Sequence, residues 1–151
     1  MRTGKAERTT GTSERKSKTV TRYLIVLEYI GTKYQGSQKQ PERMLNSLTP
    51  IKTIQGELEK AISTLTKTKT RTIFSGRTDA GVHAKGQTAH FDTEFELNPS
   101  KFINSLNGIL PNDISVKELK EVPKRFHAQK SAKARYYRYI IANRKQRSVW
   151  D

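Results

Sequence analysis

Cysteine is missing altogether from the 151 residues, which excludes disulfides and thiolate metal sites and fits a reducing compartment. His83, His90 and His127 are then the only imidazoles. No uninterrupted apolar run approaches the length of a membrane span, so no membrane partner is expected. Acidic residues are scarce: 14 Asp and Glu stand against 29 Lys and Arg, a formal net charge of +15. A field of that sign draws polyanions, nucleic acid first among them. Hydrophobic residues amount to only 33%, so part of the chain is expected outside the core, although the length suffices for one domain of ordinary size. Residues 1–21 hold almost no large apolar side chains and read as a disordered basic arm. Glu7, Glu14 and the lack of an apolar helical face argue against a transit peptide, and a tail that loosely holds phosphates is the better account.

What is present reads as alternating strands and helices. Tyr23, Ile25, Leu27 and Tyr29 fall on one face of a segment over 22–29 and Leu24 and Val26 on the other, which predicts a central strand covered on both sides. A long connection follows to about Thr53; its glycines, glutamines and Tyr34 suit contact with a nucleic acid strand as well as they suit a plain surface loop. Ile54, Leu58, Ala61, Ile62 and Leu65 recur at helical spacing after a Thr53 N-cap, and core packing accounts for this helix. Short strands are expected over 71–75 and 87–92, then a helix opened by Asn98-Pro99 with Phe102, Ile103 and Leu106 on one face and closed by Asn107-Gly108. Ile114, Val116 and Leu119 indicate a further strand, Phe126-His127-Ala128 an irregular piece, and the aromatic and β-branched run over 134–142 a last strand. The order strand, helix, strand, strand, helix, strand predicts a ferredoxin-like βαββαβ domain of the α+β class, an antiparallel sheet with two helices.

Between two of these strands lies Gly76-Arg77-Thr78-Asp79-Ala80-Gly81, a glycine-bounded turn that sets an arginine and an aspartate two residues apart. It lacks the Lys and Ser/Thr of a Walker-type phosphate loop. His83 and His90 are seven residues apart with no acidic cluster at metal spacing, and Ser75 has no nucleophile-elbow pattern, so metal and serine-hydrolase chemistry find no support. An ordinary turn, with Asp79 capping its own backbone and Arg77 solvated, is one account. The other is catalytic: a cation beside a carboxylate favours its ionised form, the form that a nucleophile or base needs, and Tyr137 on a neighbouring strand could stack on an extruded base.

The sequence Gly76-Arg77-Thr78-Asp79-Ala80-Gly81-Val82-His83-Ala84, continued by Gly86-Gln87 and His90-Phe91, resembles the signature of the TruA family of tRNA pseudouridine synthases. The resemblance extends over 22–147. It takes in the first loop from Tyr29 through Gly31, Tyr34, Gly36, Gln38 and Gln40, the Asn107 to Pro111 turn, Phe126-His127-Ala128 and the Tyr137-Arg138-Tyr139 strand. It implies conversion of uridine to pseudouridine at tRNA positions 38–40, in the anticodon arm, without metal or organic cofactor. Asp79 would be the catalytic residue. Arg77 would pair with it and hold the flipped nucleotide, and Tyr137 would stack on the uracil. Attack on the sugar, attack on the base and removal of a sugar proton all remain open as the role of Asp79. The partner implied is tRNA, with homodimers expected of the family; the compartment, cytoplasm or organelle, is not indicated. Two departures are evident: Ser37 stands where bacterial members usually have tryptophan, and the stretch over 41–53 is longer than usual. The family's second half is also expected to be missing, with 148–151 a truncated junction to it, and the alternative is then a noncatalytic RNA-binding half domain.

Overall fold

In the central strand β1 (Thr21–Tyr29), every second side chain is buried, Tyr23, Ile25, Leu27 and Tyr29. The computed structural model describes residues 19–39 and 51–146. The expectations for the basic arm up to residue 18, for residues 40–50 of the long loop and for the junction at 148–151 lie outside the described residues. After β1 come α1 (Ile54–Thr66), β2 (Thr72–Phe74), β3 (Ala84–Thr93), α2 (Pro99–Ile109) and β4 (Ile114–Val122), with a short 3-10 turn at Gly31–Lys33 that periodicity did not predict. The four strands form one sheet in the order β2-β3-β1-β4. All neighbours are antiparallel, with Tyr23 opposite Phe91 and Ile25 opposite both Ala89 and Leu119. This is the α+β, ferredoxin-like arrangement expected of the βαββαβ order.

The helices start where capping chemistry is available. Thr53 Oγ1 accepts from Gly56 N at 3.1 Å, and Asn98 Oδ1 accepts from Lys101 N at 3.1 Å with Pro99 following. Helix α1 ends at Lys67 in the left-handed conformation (φ 54°). Both helices lay their apolar faces on one side of the sheet, where Leu58, Ile62, Phe102 and Leu106 meet Ile25, Leu27, Phe74 and Phe91. Phe91 stacks at 5.9 Å from Tyr23 and 6.4 Å from Phe102.

The helices do more than pack. Glu59 Oε1 of α1 accepts from Thr72 N at 2.8 Å and Gln55 Nε2 donates to Thr72 O at 2.9 Å, occupying an outward peptide group of the edge strand β2. Asn107 of α2 does the same to β4: its Oδ1 accepts from Val116 N at 2.8 Å and its Nδ2 donates to Val116 O at 3.0 Å. The assignment of α1 to core packing alone is thus corrected.

Two further expectations change. The second face of β1 is only half-covered, because what crosses it is the irregular segment over 123–131. Arg22 holds that segment by donating from Nη1 to Lys124 O and Phe126 O, both at 2.7 Å, while its fork grips Asp92. Buried His90 accepts from Ala128 N through Nδ1 at 3.1 Å. The run over 134–142 is not a strand. It has no ladder partner among the described residues, and Tyr136, Tyr139 and Ile140 are 95%, 91% and 90% exposed, since β propensity does not by itself supply a neighbouring edge.

Candidate functional site

The loop between β2 and β3 is built around Thr78. Its N–H donates to Ser37 Oγ at 2.8 Å, its carbonyl accepts from Ser37 N at 3.0 Å, and its hydroxyl shares a 2.8 Å hydrogen bond with Tyr29 OH. Ser37 is fully buried, so its hydroxyl is committed to this contact. With Thr78 drawn inward, its neighbours Arg77 and Asp79 remain on the outside, both exposed. They form no ion pair with each other among the described residues, so the structure juxtaposes them without pairing them.

The rest of the loop is held at both ends. Gln87 Nε2 donates to Gly76 O at 2.8 Å, and Ser75 Oγ donates to Gln87 Oε1 at 2.9 Å. At the other end Gly81 N donates to Tyr34 O at 3.2 Å and His83 Nδ1 accepts from Gly31 N at 2.9 Å. Two glycines are needed for this closeness. A Cβ on Gly31 would stand 2.0 Å from Val82 O, and one on Gly36, at φ +93°, would stand 2.9 Å from Thr78 O. Tyr34 is buried and donates to Asp113 Oδ1; burial first, and then that carboxylate, pushes its hydroxyl pKa well above the ordinary tyrosine value.

Tyr137 stands apart from this rigidity, 67% exposed on the extended run. Two residues earlier, Arg135 reaches the near end of the loop, where its Nε donates to Ser75 O at 3.2 Å. The structure thus brings Arg77 and Asp79 together on one loop and ties the segment bearing Tyr137 to the start of that loop. Sequence reasoning did not single out Tyr29, Ser37 or His83 as supports, nor Arg135 as an anchor. The alternation of glycine and tyrosine over 29–36 was the available signal, because glycines at close approaches and a tyrosine at a strand end mark a packed turn.

His90 and His127 face each other at 5.0 Å behind the sheet. Burial, then Arg22, then His127 lower the His90 pKa, and Asp92 opposes them weakly. Arg22 likewise holds the Asp92 carboxyl below its ordinary range, chiefly through its hydrogen bonds.

Residues 25–131 match the family described as tRNA pseudouridine synthase. The chain is similar to the tRNA pseudouridine synthase A of Caldicellulosiruptor saccharolyticus, 47% identical over 124 residues that cover 82% of this chain and 48% of the relative. With that of Geobacillus sp. it shares 43% identity over 130 residues, 85% and 49% of the two chains. With that of Cronobacter sakazakii it shares 41% over 135 residues, 89% and 47%. The chain therefore spans about half the length of the curated relatives it matches.

Proposed function

Because the chain belongs to the tRNA pseudouridine synthase family, we propose that it carries the catalytic aspartate for isomerising uridine to pseudouridine in the anticodon arm of tRNA. The observation that carries this reading is the Thr78 clamp joined by the Gly81 N to Tyr34 O bond: together they hold the backbone before and after Asp79 while leaving its carboxylate exposed and without a side-chain partner among the described residues. Such an arrangement serves a group that must meet a ligand in a set geometry.

The reaction breaks the bond from C1′ to N1, turns the uracil, forms a bond from C1′ to C5, and moves the C5 proton off carbon while N1 gains one. Atoms and charge balance without a cofactor. Asp79 supplies the nucleophile or base, Arg77 engages a backbone phosphate of the flipped nucleotide, and Tyr137 stacks on the uracil. The exposure of Tyr137 favours a second reading in which these residues alone bind RNA without turnover, since a stacking platform open to water does not exclude it from the reacting base.

Both readings are tested with tRNA tritiated at uridine C5, on the full-length protein. Release of tritium that Asp79→Ala abolishes is the expected result. Release that persists unchanged in that variant overturns the assignment of Asp79, and tRNA binding with no release in the parent protein favours the noncatalytic reading.

A further inference from the structure

At the other end of β2 from the Asp79 loop, a groove of about 780 Å³ opens between α1 and the segment leading into β2. Two carboxylates border it, and both are already engaged. Glu59 takes Lys39 Nζ at 2.6 Å and Thr72 N at 2.8 Å, and Asp92 takes both arms of the Arg22 fork at 2.7 Å. The remaining charges, Lys60, Lys69 and Arg71, are exposed and form no ion pair among the described residues. Three cations thus converge on one concavity whose anions are spent, and a concave wall of one sign focuses its field on a counter-ion.

We propose that this groove is a second RNA anchor that holds the phosphodiester backbone away from the reacting nucleotide; the proposal rests on the reading that the protein acts on tRNA. Geometry suits the role. Arg71 and Arg77 are six residues apart in the chain, a reach of at most about 20 Å. A strand of RNA crossing the loop therefore meets the groove within a few nucleotides. Ser63, whose hydroxyl accepts from Thr70 N and still has a hydrogen to donate, stands beside the cations and suits a phosphate or ribose contact. The contact would set orientation rather than sequence, since phosphates carry no base identity.

The test measures binding of a fluorescent, unmodified tRNA transcript by the protein across a salt series. One triple variant carries Lys60→Gln, Lys69→Gln and Arg71→Gln; a control carries Lys101→Gln, Lys117→Gln and Lys120→Gln, the same charge loss on α2 and β4. All six side chains are exposed, and unchanged melting checks that both variants fold. The groove variant is expected to bind roughly tenfold more weakly near 0.1 M salt, with the slope of log K against log salt shallower by about 2, at about 0.7 per lost contact. The control is expected to stay within about twofold of the parent. Equal weakening in both triples overturns the groove as a site and leaves only net charge. Parental binding by the groove variant, with tritium release still abolished by Asp79→Ala, overturns the groove and leaves the catalytic reading standing. Absence of any tRNA binding by the parent overturns both.

Discussion

The loop over 75–83 and the run over 134–142 carry the proposed site residues in opposite conditions. The first is pinned through Thr78, Gly76, Gly81 and His83 onto three other parts of the chain, while the second touches the domain through Arg135 and exposes its tyrosines and isoleucines. Backbone hydrogen bonds to buried side chains fix a geometry regardless of what is bound. A single exposed guanidinium contact fixes little, because solvent competes for it at small net cost. The carboxylate proposed as catalytic is preset, and the tyrosine proposed to stack is not.

The largest test of that contrast is chemical. Asp79→Ala is expected to lower tritium release on the order of 10³-fold or more with the fold intact, as judged by its melting curve. Next comes the clamp itself. Gly31→Ala drives a methyl into the Val82 carbonyl, a backbone atom that cannot swing aside, and is expected to destabilise by about 3 kcal/mol, a fall of roughly 6–12 °C in Tm. Ser37→Ala leaves Thr78 N–H without its buried acceptor and should lose about 1–3 kcal/mol in denaturant titrations.

A smaller effect concerns pH. The neutral form of His90 is favoured in the folded state, and Nδ1 is an acceptor only while unprotonated. The unfolded chain takes up that proton first, so stability is complete above the ordinary histidine value of about 6.5 and falls as pH drops below it. Asp92 adds a further loss at lower pH, below the ordinary aspartate range, because its folded pKa is depressed. Melting curves between about pH 8 and pH 5 should show the first decline, and His90→Gln should flatten it. The smallest effects belong to the loose run and to its contact with the loop: Gly76→Ala, where the atoms nearest an added methyl are those of the flexible Arg135 side chain, and Tyr137→Ala should each change stability by less than about 0.5 kcal/mol. Tyr137→Ala should still reduce tritium release; full turnover in that variant would remove the tyrosine from the site.

Elements with their own periodicity were legible from residues. The alternation Tyr23, Ile25, Leu27, Tyr29 located β1, and the caps at Thr53 and Asn98 located both helix starts. The order of elements then led to the sheet. The 134–142 run shows where such reasoning stops, because alternation and aromatic content describe a segment's suitability for a sheet and say nothing of a free edge to receive it. The clamp was not legible: the glycines of the first loop suited a nucleic acid contact or a plain surface loop equally, and only the fold reveals that Gly31 approaches Val82 and Gly36 approaches Thr78. Ser37, met as a departure from the usual tryptophan, proves to be the residue whose backbone and hydroxyl hold Thr78. The helix side chains that bond the sheet margins gave no such signal, since a Gln and a Glu on a helix read as ordinary solvated residues and Asn107 read as a helix stop, whereas it lies inside α2.

Those three side chains have a consequence for growth of the sheet. A β-ladder lengthens sideways only where peptide groups are available in register, and here Thr72 on one margin and Val116 on the other are already spoken for. Any strand that joins beside β2 is stopped at Thr72 and confined toward Phe74 and the Asp79 loop, the end at which Arg135 already rests on Ser75. The α1 side chains therefore act as a doorstop: they leave the β2 margin one direction of extension, and it leads to the carboxylate.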